Sequence, residues 1–351
     1  MKRIKSNVRI TAVILGLSLG MTGCGFGKKE SHMQTAIQQI DEFEYEDALL
    51  TLDEALEAGE DKQQIARTKG IALAGLTRYE EAADSFTLAL SYSSIFPSKL
   101  DYDLNYYLAE AYEKMGDREK AIATYSNILA LDEDEINAHF LRGRLYLAGG
   151  EYEKALTDFN KTVFLTQNEY DLRIEIAGLL TQAGHEEEGL QYLGNFLTEN
   201  EKKLSDYDKG RIYYYMGEYE NAKTFLEKAK SDDQERVILL LGKSYEQLGD
   251  YNYATSVYKN YLEEHPEAAE IFNQLGLCKL KSGEYEEALS AFRSASNVEN
   301  NGMDQTLMFN QIVAYEYTGD FKQAAVLMES YLKKYPEDEA ALREYEFLKT
   351  R

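Results

Sequence analysis

The sequence predicts an all-α fold, an array of stacked antiparallel helix pairs, on three observations. A short phrase, Gly-x-(Tyr/Phe)-x-x-Ala, recurs along the chain at intervals near 34 residues. Between recurrences the apolar residues fall at helical spacing, not at the alternation of a strand. Only three prolines, Pro97, Pro266 and Pro336, punctuate 351 residues, so long helices go unbroken. That length exceeds one ordinary compact core and suits a repeat array.

The chain opens on a separate segment. Lys2, Arg3, Lys5 and Arg9 form a basic start, and Ile10 to Leu19 is an apolar run too short to cross a bilayer comfortably. Small residues follow, the layout of a signal peptide. Met21-Thr22-Gly23-Cys24 resembles the lipobox of bacterial lipoproteins, an aliphatic residue, then Ala, Ser or Thr, then Gly or Ala, then Cys. Met21 stands where that family usually has Leu. The resemblance implies cleavage after residue 23 and a diacylglyceryl group on the Cys24 thiol. Two acyl chains anchor stably, so the expected location is a cell membrane, lipid-anchored and facing outside the cytoplasm. Residues 24–30 would be the lipidated end and a short tether.

The array follows. The phrase is full at Gly150 to Ala155, Gly217 to Ala222, Gly249 to Ala254, Gly283 to Ala288 and Gly319 to Ala324. Weaker copies run Gly116 to Ala121, Tyr79 to Ala82 and Tyr45 to Ala48, and Gly184 to Gly189 carries Gly in place of Ala. The key small residues are 48, 82, 121, 155, 189, 222, 254, 288 and 324, with spacings of 34, 39, 34, 34, 33, 32, 34 and 36. A second small residue stands at Ala109, Gly143, Ala177, Gly210, Gly242 and Gly276. Leu104, Tyr107, Leu108, Ala111, Tyr112 and Met115 make one helical face, and Gly116 ends that helix. Ala121, Ile122, Tyr125, Ile128 and Leu129 start a second face. Each hairpin alone would expose an apolar side, which stacking covers.

This pattern resembles the 34-residue tetratricopeptide repeat over nearly all of the chain after the leader. The small residues then sit at positions 8 and 20 of each unit, and Tyr125, Phe159, Tyr258 and Phe292 at position 24, filling space between units. The family's early Trp is absent, and its late Pro is matched only by Pro266 and Pro336. The resemblance implies a right-handed α-solenoid. Nine units are expected, two in 31–101 and seven in 102–338, with a C-terminal capping helix in 339–351 that turns Leu342, Tyr345 and Leu348 inward. The spacing of 39 places a longer loop around Ser91 to Asp101.

Function is bounded by composition and by motifs that fail. With 62 acidic against 38 basic residues the formal charge is −24, which argues against nucleic acid as a partner. Gly16-Leu17-Ser18-Leu19-Gly20 lies in the leader and is no hydrolase elbow. Gly242-Lys243-Ser244 resembles the end of a phosphate loop, but Val237 stands where its first glycine belongs, so no nucleotide is expected. His32, His139, His185 and His265 are scattered, which predicts no metal site. Cys278 lies among leucines and reads as a buried thiol. Neither catalysis nor a cofactor is expected.

The expected function is binding. In tetratricopeptide proteins positions 2, 5, 9, 12 and 13 of each unit commonly line a groove. Transferred here, these give Tyr207, Arg211, Tyr214 and Tyr215 in the sixth unit, with Tyr106, Phe140, Arg144 and Lys243 from other units. The cations would meet carboxylates and the tyrosines would supply rigid contact area. The Lys and Asn pair of the chaperone-binding clamp is missing at positions 5 and 9. The expected role is a protein-interaction scaffold at the bacterial cell envelope. The alternative is a polysaccharide-binding or export accessory, with sugar rings stacked on tyrosine.

Overall fold

A computed structural model describes residues 31–94, 98–166, 170–232 and 234–351. The leader, Cys24, the tether and Pro97 lie outside the described residues. Within them the protein is all-helical, with no strand.

Two compact units divide at Glu133 and Asp134. The first holds α1 (His32–Asp41), α2 (Tyr45–Glu57), α3 (Lys62–Gly75), α4 (Tyr79–Ser91), α5 (Lys99–Met115) and α6 (Arg118–Leu131). The second holds α7 (Ile136–Ala148), α8 (Tyr152–Leu165), α9 (Tyr170–Gln182), α10 (Glu186–Asn200), α11 (Asp206–Tyr215) and α12 (Tyr219–Ala229). It continues with α13 (Glu235–Gln247), α14 (Tyr251–Glu264), α15 (Ala269–Ser282), α16 (Tyr285–Ser296), α17 (Asp304–Thr318), α18 (Phe321–Lys334) and α19 (Glu339–Leu348). Consecutive helices pair as hairpins, and within each unit hairpin stacks on hairpin.

The recurrent phrase is the hairpin turn. Gly116, Gly150, Gly217, Gly249, Gly283 and Gly319 have φ between 76° and 83°, a left-handed conformation that glycine adopts freely. Where the turn reads Gly-Asp, the aspartate caps the next helix. Asp117, Asp250 and Asp320 accept from the amides of Lys120, Tyr253 and Gln323. The glutamates at the same place, Glu151, Glu218 and Glu284, make no such bond.

The first two hairpins reach the same turn without glycine. Phe43 and Thr77 hold φ of 63° and 61°. A β-branched side chain is strained there. Thr77→Gly is therefore expected to stabilise the first unit by about 1 kcal/mol, read as a higher urea midpoint with unchanged slope. An unchanged or lower midpoint would mean that Thr77 is not strained.

Small residues let the two helices of a hairpin touch. Ala48, Ala82, Ala121, Ala155, Ala222, Ala254, Ala288 and Ala324 are all fully buried. Gly189 departs from this series because a Cβ there would come within 2.8 Å of the Ala177 carbonyl oxygen. At position 8, a Cβ on Gly242 would lie 2.2 Å from the Tyr258 ring and one on Gly276 2.4 Å from Phe292. The position-24 ring thus covers the glycine of its own hairpin and also packs against the next, as Phe159 does on Ile176 and Leu180 and Phe292 on Leu307 and Ala314.

Two local expectations are corrected. Residues 99–101 belong to α5, at 17 residues longer than its neighbours, so the linker is shorter than expected. Ser98 starts that helix through a capping box with Asp101. In α19, Ala341, Tyr345 and Leu348 face the α17–α18 core, while Leu342 is 43% exposed. The inward face runs i, i+4, i+7, and Leu342 lies a full residue's rotation away from it.

Candidate functional site

The first helices of three successive hairpins, α9, α11 and α13, meet around a pocket of about 330 Å³. Asp171 comes from α9, Tyr207, Arg211 and Tyr215 from α11, and Arg236, Leu239, Leu240 and Lys243 from α13. The helices hold these side chains together because Gly210 and Gly242 let α12 and α14 press close behind. A Cβ on Gly210 would meet Leu226 at 2.6 Å.

The pocket is basic in an acidic protein. Three cations face one carboxylate, and Asp171 pairs with Arg211. The Arg236 guanidinium lies 4.7 Å from the centre of the Tyr207 ring, a cation–π contact, and its Nε donates to Gln234 Oε1 at 2.6 Å. Lys243 makes no ion pair among the described residues. Burial pushes the Tyr207 phenol up, opposed by Arg211 and Arg236, so it stays neutral at physiological pH. Tyr215 is 50% exposed and Leu239 and Leu240 form an apolar wall.

A larger hollow of about 650 Å³ lies beside the Ser296–Asp304 turn. It is lined by no cation, and the Asn301 amide is spent on the turn: its Nδ2 donates to the Val298 carbonyl at 2.8 Å and its Oδ1 accepts from the Met303 amide at 2.7 Å. It converges less chemistry than the α9–α11–α13 pocket. Among the described residues no group of three or more His, Cys, Asp or Glu side chains is arranged to hold a metal ion.

Tetratricopeptide repeat profiles match residues 106–169, 207–231, 239–301 and 306–338, a little over half of the chain. The chain belongs to the tetratricopeptide repeat family. It is similar to BBSome complex member bbs-4 of Caenorhabditis elegans, 26% identical over 168 residues, covering 45% of this chain and 36% of that protein. It is also similar to TPR repeat-containing protein YpiA of Bacillus subtilis, 27% identical over 208 residues, covering 58% of this chain and 47% of that one. The matched part thus spans less than half the length of these curated relatives. A solved tetratricopeptide repeat protein from Parabacteroides merdae aligns with a TM-score of 0.45 at 18% identity, over 72% of this chain and 98% of that one.

As a tetratricopeptide array the chain places its expected groove residues in three ways. Tyr207, Arg211, Tyr215 and Lys243 share the pocket. Tyr214 is packed into the α12–α15 core, edge-on to Tyr219 at 5.6 Å, with its phenol pushed up to about 12 by burial. Phe140 is only 8% exposed and tilts against Phe159 at 6.1 Å. Arg144 stands near Glu175 on α9, whose carboxyl burial raises and Arg144 lowers. Tyr106, in the first unit, is edge-on to Tyr125 at 6.1 Å. Asp171, Arg236, Leu239 and Leu240 lie outside the expected set. Counting back from Ala177 and Gly242 at position 8, the first three are positions 2, 2 and 5, so the family's own groove positions point to them, whereas Leu240 at position 6 carries no such signal.

Cys278 is packed into the core, His185 and His265 stack on tyrosines, and His32 and His139 meet carboxylates, His32 that of Glu60 at 3.2 Å. Cys278 is fully buried, its thiol pushed up to about 11 by burial, 3.8 Å from Thr255 Oγ1 and from the Tyr251 carbonyl. His185 stacks on Tyr152 at 4.0 Å and His265 on Tyr261 at 4.2 Å. His139 reaches Asp158 at 2.8 Å, beside the Arg142 guanidinium.

Proposed function

We propose that this tetratricopeptide protein is a lipid-anchored scaffold that holds partner proteins at the outer side of a bacterial cell membrane. The pocket on α9, α11 and α13 carries the reading. It joins aromatic, apolar and cationic side chains from three hairpins on an open surface suited to a chain laid across it. Relatives bear on it only by kind: one is by name a member of a multi-protein complex. The anchor rests on the leader and Cys24. Among the described residues no helix is long and apolar enough to cross a membrane, so attachment in this reading depends on lipid. Tethering raises the concentration of partners near the membrane without any new contact.

Two experiments test the two parts. Cys24→Ser is expected to move the protein from the membrane fraction to the soluble fraction; a variant that still sediments wholly with membranes removes the anchor. In-cell crosslinking followed by affinity purification is expected to recover discrete proteins, and to lose them when Tyr215→Ala and Lys243→Glu are combined. A polysaccharide-binding role would be favoured by the half-exposed Tyr215 ring, which presents a face for sugars. Glycan-array binding without any crosslinked protein would replace the scaffold reading with that one.

A further inference from the structure

The pocket already holds a carboxylate of its own. Asp171 pairs with Arg211, yet Asp171 is 82% exposed while Arg211 is 17% exposed. The guanidinium is part of the wall and the carboxylate sits over it from the solvent side. An exposed pair of this kind is weak and exchangeable. The other two cations, Arg236 and Lys243, are paired with no carboxylate among the described residues. The site therefore has three places for anionic oxygens and fills one of them internally.

We propose that the pocket takes the carboxylate side chains of a short acidic segment of a partner protein, and that Asp171 occupies the Arg211 place until a ligand carboxylate displaces it. This rests on reading the α9–α11–α13 surface as a protein-binding site. Charge complementarity selects the occupant. A chain of formal charge −24 repels a long polyanion, but at physiological salt that repulsion is screened beyond about 8 Å. A segment with two or three acids feels mainly the local cations. Leu239, Leu240 and the Tyr215 ring then favour an apolar or aromatic residue between the acids. Arginine forks bind carboxylates in two-point geometry, so both Arg211 and Arg236 discriminate an acid from its amide. Asp171 makes the site self-limiting: a ligand must compete with it at every encounter.

The test uses the full chain and a fluorescein-labelled Glu-Glu-Phe-Glu-Glu peptide in fluorescence anisotropy, with Gln-Gln-Phe-Gln-Gln as control. The acidic peptide is expected to bind at least about tenfold tighter than the amide peptide. Asp171→Asn is expected to tighten binding by about twofold to sixfold, because it removes a weak internal competitor. Arg236→Glu and Lys243→Glu are each expected to weaken it by about tenfold or more. Thermal melts of all four proteins should coincide, since these side chains lie at the surface. Equal binding of the two peptides overturns the proposal, as does Asp171→Asn leaving affinity unchanged or lower. If crosslinked partners are recovered through Tyr215 and Lys243 but the acidic peptide does not bind, the scaffold stands and the acidic ligand falls. If neither is seen, both fall.

Discussion

Replacing Glu246 by alanine is expected to destabilise the second unit by about 3–5 kcal/mol. Its carboxylate is 1% exposed and accepts three hydrogen bonds: from Tyr258 Oη at 2.8 Å, Gln274 Nε2 at 2.8 Å and Lys281 Nζ at 2.6 Å. The donors come from α14 and α15, so one side chain on α13 ties its own hairpin to the next. Alanine removes the acceptor and strands two buried donors and an ammonium, and the loss is their desolvation as well as the bonds. The same Tyr258 ring covers Gly242, so the hairpin has no spare volume in which the ring could turn to find water. Repeat arrays are held by nearest-neighbour interfaces. The variant should therefore lose cooperativity as well as stability, with urea unfolding splitting into two phases and hydrogen exchange rising first in α13 to α15. Glu246→Gln keeps an acceptor oxygen and should fall between wild type and alanine. A single transition shifted by less than about 1 kcal/mol would mean that Glu246 acts like a surface charge.

This network was not legible in the sequence, whereas the hairpins were. The reason lies in what each depends on. The hairpin needs a small residue where two helices cross and glycine where the chain turns left-handed, and these demands repeat every 34 residues with little freedom. Hence Ala48 through Ala324 are all buried as their recurrence implied, and even Gly189 has a steric reason. Glu246 occurs once. Nothing in a helical pattern distinguishes a buried glutamate with three donors from the many solvated ones, because its partners lie 12, 28 and 35 residues away. The pocket falls between these cases. Repeat positions 5, 9 and 13 gave Tyr207, Arg211, Tyr215 and Lys243, but the same positions gave Phe140 and position 12 gave Tyr214, which face a core. A groove position on a helix borders the packed face, and a large aromatic there turns whichever way the neighbouring hairpin leaves room. The first two hairpins show the reverse error of pattern. Phe43 and Thr77 lack the glycine signal yet adopt its conformation, because the surrounding helix pair fixes the turn.

A second large effect is expected from Glu316→Gln, with the opposite sign. Glu316 on α17 is pressed against Glu344 on α19, and its carboxyl is pushed up to about 7 by burial first and by the neighbouring carboxylate second. One oxygen, Oε1, is buried with no hydrogen-bond partner. The folded protein thus prefers the protonated acid, while the unfolded chain ionises near 4.5, the ordinary value for glutamate. The contribution is fully present below the unfolded value and is lost as pH rises through about 7. The side chain is only partly buried, so solvent screening reduces the full linkage to about 1–2 kcal/mol between pH 5 and pH 8. Glutamine is neutral throughout and nearly the same shape. It should match wild type at pH 5, exceed it by that amount at pH 8, and flatten the pH dependence of the melting temperature. Because Glu344 lies on the last helix, proteolysis or hydrogen exchange should show α19 loosening first in wild type as pH rises, and not in the variant. Glu344→Gln should give a smaller gain, since it relieves the charge repulsion but leaves the burial of Glu316 in place. A wild-type stability that is flat from pH 5 to 8, or a glutamine variant that is less stable at pH 8, would show that Glu316 is ionised and solvated in the fold.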